Sequence, residues 1–289
     1  MRQSAFLILS MAVTASISLA QDQTTDLSER KFDTIFSAQS MMQREIVDES
    51  GVSAGVIGDI ILDVQNGRVA LLIIKRSNSA VNTIDSNAVA FEQFAVVPSV
   101  IQDWKSDEPF ELSIPLKQVQ SSSAVVEQKS LTSFSESDLA AIYRHYEADL
   151  YWKSTKGNTA VPSLMSIDEL DGKLIRDADR SKLGRIEEVL LAPDQHWSIA
   201  FLALSQFRDH GGSQDRIAIP LSALARRRSS SAWLLEISKE AKLPGETFIA
   251  GQWPTVIDAG WVEFTHVKYG ASTDGGIQTP DDPIVHSEN

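Results

Sequence analysis

Histidine is the first residue type to consider as a metal ligand or a general base. The sequence contains five: His145, His196, His210, His266 and His286. A zinc-binding helix places two histidines four residues apart, and none of the five has that spacing. No P-loop and no glycine-rich dinucleotide motif occurs either. We therefore expect no metal and no cofactor, and we assign no residue to catalysis, cofactor binding or metal binding.

One stretch matches a catalytic pattern by its letters. Residues 51–55 read Gly-Val-Ser-Ala-Gly, which is the G-x-S-x-G spacing of a hydrolase nucleophile elbow. That elbow needs a strand before it, a helix after it and a large parallel sheet, and this context is missing. The neighbouring acids Glu187 and Glu188 point to opposite faces of a strand, and Asp59 and Asp63 lie on a strand of the same kind. Because no acid–base couple forms, the chain is predicted not to be an enzyme.

Charge limits the partners that this chain can bind. The formal net charge is -13 at pH 7, and such an acidic surface repels nucleic-acid backbones and anionic membranes. The one local basic cluster consists of Arg226, Arg227 and Arg228. It could bind a carboxylate or a phosphate, but a solvated loop between strands is the interpretation that we favour. We expect a protein partner and no nucleic acid.

Aromatic residues follow each half of the chain. Tyr151 and Trp152 follow the first half, and Trp253 and Trp261 occupy the comparable region of the second. These side chains could form a platform for a ligand at the mouth of each half. Packing of amphipathic rings in the core is the alternative, and we favour it.

The elements that would position these residues form a repeat. From Gly184 the sequence predicts an apolar strand, a hairpin, the continuous apolar run Ile199–Leu204 and a final strand that stops at Pro220. A continuous run of this length indicates a strand that is covered on both faces or lies inside a small barrel. When Asp48 is aligned with Asp177, the first half repeats the pattern, and its hairpin is Asn66-Gly67, a strong signal for a two-residue turn. The aligned pairs include Ile46 with Ile175, Gly55 with Gly184, Ile57 with Ile186, and Val69–Ile74 with Ile199–Leu204.

This order of an acidic turn, Gly-x-Ile, an acidic residue, three apolar residues, a hairpin, an apolar strand and a proline resembles the PRC-barrel domain. The resemblance covers two segments, about 40–126 and 166–257, and the copy from Gly184 to Pro220 is the better match. In the first copy, Gln43 stands where Gly172 stands in the second. The resemblance implies a small six-stranded β-barrel in each copy and a habit of docking onto other macromolecules, without a catalytic motif.

The first twenty residues predict export. Residues 1–20 contain Arg2, an apolar run from Ala5 through Val13, and small residues at Ser18 and Ala20. This is the pattern of a secretory signal peptide cut near Ala20, and the run is too short for a membrane anchor. No cysteine occurs, so the fold does not depend on disulfides. No stable membrane insertion is expected after cleavage.

The predicted fold is mainly β, with two tandem small β-barrels, a short helix and disordered termini. The helix should begin after Ser137, since Leu139, Ile142, Tyr143 and Tyr146 have helical spacing. The predicted segments are a signal peptide (1–20), a flexible lead-in (21–39), module 1 (40–152), a linker (153–165), module 2 (166–270) and a disordered tail (271–289).

The sequence therefore predicts a periplasmic or secreted, non-enzymatic binding or scaffold protein that docks onto another envelope protein. The alternative is a metal- or ligand-binding sensor, or an enzyme, with a site between the two modules. The identity of the partner and the oligomeric state do not follow from the residues.

Export can be tested on the full chain carrying a C-terminal tag in a Gram-negative host. N-terminal sequencing of the periplasmic protein should begin at Gln21. Leu9→Arg places a charge in the apolar run and should leave the precursor uncleaved, because the run no longer enters the export machinery. The control Gln23→Arg lies outside the run and should be processed normally. A periplasmic protein that keeps residues 1–20 would contradict the prediction.

Overall fold

The computed structural model describes residues 35–77, 91–102, 109–121, 134–153, 161–193, 198–206, 215–226, 233–235, 247–249 and 259–271. The predicted signal peptide, the first part of the lead-in and nearly all of the tail lie outside these ranges. No helix within them is long and apolar enough to cross a bilayer.

The described part of the chain is mainly β, as predicted. Two short 3-10 turns, Pro98–Val100 and Leu221–Ala223, follow corresponding strands. In chain order the elements are β1 (Phe36–Ser37), α1 (Ala38–Met41), β2 (Glu45–Val47), β3 (Ser53–Asp63), β4 (Arg68–Ser77), β5 (Phe91–Val96), β6 (Ile101–Gln102), β7 (Phe110–Leu112), α2 (Leu116–Gln120), α3 (Glu136–His145), β8 (Leu164–Ser166), α4 (Ile167–Leu170), β9 (Leu174–Arg176), β10 (Lys182–Pro193), β11 (Ser198–Gln206), β12 (Asp215–Pro220), β13 (Leu224–Arg226), β14 (Trp233–Leu235), β15 (Thr247–Ile249) and α5 (Ala259–Lys268).

Six strands in each half have the same pairing. In module 1, β2, β3, β4 and β5 pair in order as antiparallel neighbours, β6 pairs with β7, and β7 closes against β2 in parallel. In module 2, the strands β9 to β14 repeat each of these pairings, including the parallel contact of β14 with β9. The two curled sheets confirm the predicted pair of small barrels and the predicted closing strands.

The long apolar runs are strands buried on both faces, as predicted. On β11, Leu202 and Leu204 belong to the main core, whereas Phe201 and Ala203 belong to a second cluster. Val262 of α5 joins this second cluster. The helix therefore covers the outer face of the β11 hairpin, and this coverage explains why the run does not alternate with polar residues.

Each module supplies a short strand to the other. Phe36 of β1 pairs with Leu191 of β10, whereas Met165 of β8 pairs with Leu62 of β3. These two pairs occupy equivalent positions in the repeat, so the modules are related by a pseudo-two-fold arrangement. A direct bridge between β4 and β11 joins Arg68 to Ile199. The two barrels are thus one hydrogen-bonded unit of strands.

This exchange orders residues that the sequence assigns to flexible segments. Phe36 and Met41 lie in or next to the predicted lead-in, and both are buried. Met165, at the end of the predicted linker, is 5% exposed. The physical reason is that each barrel leaves one long strand with an open edge, which a short strand from the other half covers.

Two local predictions differ from the structure. The β3–β4 hairpin is a four-residue loop in which Gly67 has a positive φ of 63° but Asn66 does not, so the two-residue turn is wrong. Helix α3 confirms the predicted helix, but its N-cap is Ser135 and not Ser137. The Ser135 hydroxyl accepts the Asp138 N–H, and the Asp138 carboxylate accepts the Ser135 N–H, which is a capping box.

The repeat also preserves backbone geometry where the side chain changes. Gln43 has a φ of 66°, and its counterpart Gly172 has a φ of 64°. The left-handed conformation is therefore a property of this turn, and the first copy keeps it without glycine.

The equivalent glycines Gly55 and Gly184 allow close contact between paired strands. A Cβ atom on Gly184 would overlap the carbonyl oxygen of Ser205, and one on Gly55 would lie 2.5 Å from the carbonyl oxygen of Lys75. We expect Gly184→Ala to lower the free energy of unfolding by about 3 kcal/mol, since the strands must separate. Urea denaturation of the mature protein measures the change.

Gly172→Ala is the matched control. Its left-handed φ costs about 1 kcal/mol, but no atom lies within 4 Å of the added carbon. A Gly184→Ala cost no larger than that of the control would contradict the close-contact explanation.

Candidate functional site

A buried carboxylate lies at the end of β3. Asp63 is 0% exposed and accepts five hydrogen bonds. Its Oδ1 accepts the backbone N–H groups of Gln65 (3.1 Å), Asn66 (3.3 Å) and Ser163 (3.0 Å). Its Oδ2 accepts the Asn66 side-chain amide (2.6 Å) and the Tyr151 hydroxyl (2.9 Å). One side chain therefore holds the hairpin loop, the segment after α3 and the segment that leads into β8.

The titration of this carboxyl reflects two opposing effects. Burial raises the pKa of Asp63, and the hydrogen bonds from Asn66, Ser163 and Tyr151 lower it by a smaller amount. The pKa of Tyr151 is raised as well, first by burial and then by the nearby Asp63 charge. Tyr151 therefore stays protonated and acts as a hydrogen-bond donor to the carboxylate.

Arg68 stands opposite Asp63 in the β3–β4 ladder. It is 5% exposed, and it is the only lysine or arginine in the described ranges whose residue is buried. Its guanidinium carbon lies 5.5 Å from the centre of the Tyr151 ring, within range of a cation–π contact. By the alignment of the two copies, the module 2 counterparts of Asp63 and Arg68 are Ala192 and Ser198, and neither is charged. The charged pair is thus a feature of module 1 alone.

Aromatic side chains pack around this pair. Tyr143, Tyr151 and Trp152 contact one another edge to face, with ring centres 4.9–5.6 Å apart. In the second half, Trp261 packs against Phe201 at 5.2 Å. These residues belong to or border the cores, whereas Trp253 lies outside the described residues.

A cleft opens above Arg68 between the barrel and the end of α3. Its volume is about 320 Å³. Arg68 lies on its lining together with Tyr143, Tyr146 and Tyr151. The remaining lining is formed by the 3-10 turn 98–100, by residues 113–114 after β7 and by the acidic segment 147–149. The lining therefore combines one buried cation, three tyrosines and two acidic residues at 147 and 149.

Two of the five histidines, His145 and His266, lie in the described residues, and their surroundings differ. His266 is 2% exposed, donates from Nδ1 to the carbonyl oxygen of Val262 (2.8 Å) and contacts the ring of Phe201. Burial lowers the pKa of His266 to about 4, so it is a neutral core residue at pH 7. His145 ends α3, with its Nε2 2.9 Å from the carbonyl oxygen of Gln118.

The remaining candidate residues form no metal cluster within the described ranges, and most of them lie outside those ranges. Across the described ranges, no three histidine, aspartate or glutamate side chains cluster in a way that could hold a metal ion. His196, His210, His286, Arg227 and Arg228 lie outside those ranges, and Arg226 is the last residue of β13.

The hydrolase-like pattern lies in a turn and a strand, and two of the acids considered above hold neighbouring strands together. Gly51 lies in the β2–β3 turn, and Ser53 begins a long strand, so the serine is not at a strand-to-helix elbow. Glu187 forms an ion pair with Arg216 on the neighbouring strand β12. Asp59 accepts a hydrogen bond from the Ser166 hydroxyl (2.8 Å) and so fixes β8 against β3.

Sequence reasoning missed the Asp63–Arg68 pair. The available signal was an acid at the end of an apolar strand and an arginine at the start of the next, separated only by the hairpin. In a hairpin these two residues must lie opposite each other. Their depth could not be read from the sequence, because it is created by α3, Tyr151 and the exchanged strand β8.

The fold and its repeat define the class of protein: a tandem small β-barrel protein with a covered hairpin in each barrel. The sequence model of the PRC-barrel domain matches residues 33–105, which supports the PRC-barrel resemblance for the part of module 1 up to β6. The match falls on the copy with the weaker resemblance by residue pattern, whereas module 2 shares its strand pairing. No curated protein matches the chain.

Replacing the buried carboxylate tests its role as an anchor. Asp63→Asn keeps the shape of the side chain but replaces one carboxylate oxygen with an NH2 group, which cannot accept a hydrogen bond. With that group in the place of Oδ2, the Asn66 amide and the Tyr151 hydroxyl lose their acceptor. We expect a loss of about 2–4 kcal/mol in the free energy of unfolding, because buried donors lose their acceptor. Chemical denaturation measures this loss.

Asp179→Asn is the matched control, because Asp179 is an exposed acid in the β9–β10 turn. It should change stability by less than about 0.5 kcal/mol. Equal effects of the two substitutions would show that the hydrogen bonds to Asp63 contribute little.

Proposed function

We propose that this chain is an exported, non-enzymatic binding or scaffold protein that docks onto another protein of the cell envelope. Support comes from the PRC-barrel match in module 1, the signal-peptide pattern of residues 1–20 and the absence of cysteine. The observation that carries the proposal is an apolar surface on α5. A docking surface, and no reaction centre, is what this geometry favours.

Helix α5 carries two exposed apolar side chains in addition to those on its buried side. Val262 and His266 pack inward on the outer face of the β11 hairpin. Phe264 is 49% exposed and Val267 is 69% exposed, and a spacing of three residues puts them on one side of the helix. We call these two residues the outer face of α5. A soluble helix normally presents polar side chains there, so the outer face fits a protein contact.

The charge of the chain restricts the surface that can cover this face. Protein interfaces combine an apolar centre with a polar rim, and opposite charges at the rim speed association. Because the chain carries a formal net charge of -13, the partner is a protein with an apolar contact area bordered by lysine or arginine. Binding of this kind weakens as salt increases.

The alternative function is a sensor that binds a metal or a ligand. The described residues offer no metal cluster, as noted above, and the polar cleft over Arg68 is the observation that favours a ligand. That cleft belongs to module 1 and the segment after α3. It is compatible with docking through α5.

Photo-crosslinking from α5 tests the proposed function. A photoreactive amino acid at Glu263, which is exposed beside the outer face, should trap a basic envelope protein in intact cells. The double substitution Phe264→Ser and Val267→Ser should reduce the yield at least about tenfold, since a few buried apolar side chains dominate most interfaces.

Val52→Ser is the matched control, because Val52 is 50% exposed in the β2–β3 turn and lies on module 1. It should leave the crosslink unchanged. A crosslink that survives the double substitution, or no crosslink at all, would count against docking through α5.

A further inference from the structure

The cleft over Arg68 has the features of a ligand site. Burial of a guanidinium is unfavourable unless its charge is used. The counterparts of Asp63 and Arg68 in module 2 are Ala192 and Ser198, which carry no charge, so the six-stranded pairing forms there without a charged pair. The cation is therefore specific to the half of the molecule that carries the cleft. Its five N–H donors can serve a ligand in addition to contacts within the protein.

The tyrosine hydroxyls are directed into the protein. Tyr143 donates to the carbonyl oxygen of Ala70 (2.9 Å), and Tyr146 donates to that of Ala95 (2.8 Å). Tyr151 donates to Asp63, as described above. Because the three hydroxyls already have partners in the protein, the carbon rings are the part of these lining residues that remains for a ligand, and such rings favour an aromatic or other flat apolar group.

Charge decides between the anions that arginine recognises. A guanidinium binds carboxylates and phosphates through paired hydrogen bonds. Glu147 and Asp149 line the same cleft and are exposed, so they oppose a doubly charged phosphate more strongly than a singly charged carboxylate. The volume of about 320 Å³ is at the lower end of small-molecule sites and suits one ring with a short acidic arm.

We propose that this cleft binds a small aromatic monocarboxylate, with Arg68 holding the carboxylate and the tyrosine rings enclosing the aromatic group. The ligand has two chemical sources: a free aromatic acid, or the terminal carboxylate of a peptide that ends in an aromatic residue. Both present the same carboxylate and ring. The site is separate from the outer face of α5, so a failure of the docking proposal does not affect it, and its own failure does not affect the docking proposal.

Isothermal titration calorimetry of the mature protein tests the site with phenylacetate and its neutral analogue phenylacetamide. Phenylacetate should bind at least about tenfold more tightly than the amide, because only the acid forms the paired charged hydrogen bonds. Gly-Gly-Phe, as free acid and as amide, should show the same preference. Tighter binding of the peptide acid than of phenylacetate identifies a chain terminus as the source, and the reverse identifies a free acid.

Two variants separate binding from folding. Arg68→Lys keeps the charge but loses the planar fork, and it should weaken phenylacetate about tenfold while leaving the amide unchanged. A purely structural arginine would not produce that split.

Ser99→Trp fills the exposed edge of the cleft without altering Arg68, and it should abolish binding. Gln39→Trp, an exposed position in α1 away from the cleft lining, is its control and should bind normally.

The proposal is overturned by any of three results. The acid and the amide bind equally, or phenylacetate still binds Ser99→Trp as it binds the unaltered protein, or neither acid binds at concentrations up to about 10 mM, which corresponds to a negligible affinity.

Discussion

The structure depends on the satisfaction of one buried charge. A carboxylate sealed from water is tolerated only when donors surround it. Asp63 collects these donors from its own hairpin loop and from two segments that are distant in sequence, through Tyr151 and the backbone of Ser163. The requirement fixes where the segment after α3 lies and where the second module begins. The positions of the tyrosines on the cleft lining follow from that placement, because Tyr143 and Tyr151 are in contact.

The exchange of short strands makes the two barrels a single structure. Each barrel has the same six-stranded pairing, yet the open edge of its longest strand is covered from the other half. The arrangement resembles a symmetric dimer whose two subunits have been joined into one chain. The halves differ in three features: module 1 has a charged ladder pair and a tyrosine cluster, and module 2 has a helix with exposed apolar side chains.

The residue pattern was sufficient for the barrels. Local geometry determines which residue types can occupy a position, so it can be predicted from sequence. The signals used here were the apolar runs such as Val69–Ile74, the glycines at close strand contacts and the turn acid in each copy. The pairing of β1 with β10 left no such trace, because any short apolar strand can cover an open edge. Asp63 could not be recognised either, since its burial results from elements 88 and 100 residues away. Local signals therefore predicted the modules, whereas their association required coordinates.

The exchanged strands also set the order in which the protein can fold. Asp63 has its full set of hydrogen bonds only when Ser163 reaches it, and β1 can pair only after Leu191 has been synthesised. Pairings across such distances carry a large loop-closure entropy and form slowly. A growing chain therefore stays incomplete until its second half is present. For a chain that we propose to be exported, this delay has a benefit, because a translocation channel accepts a polypeptide before it has folded, and the finished molecule assembles on the far side.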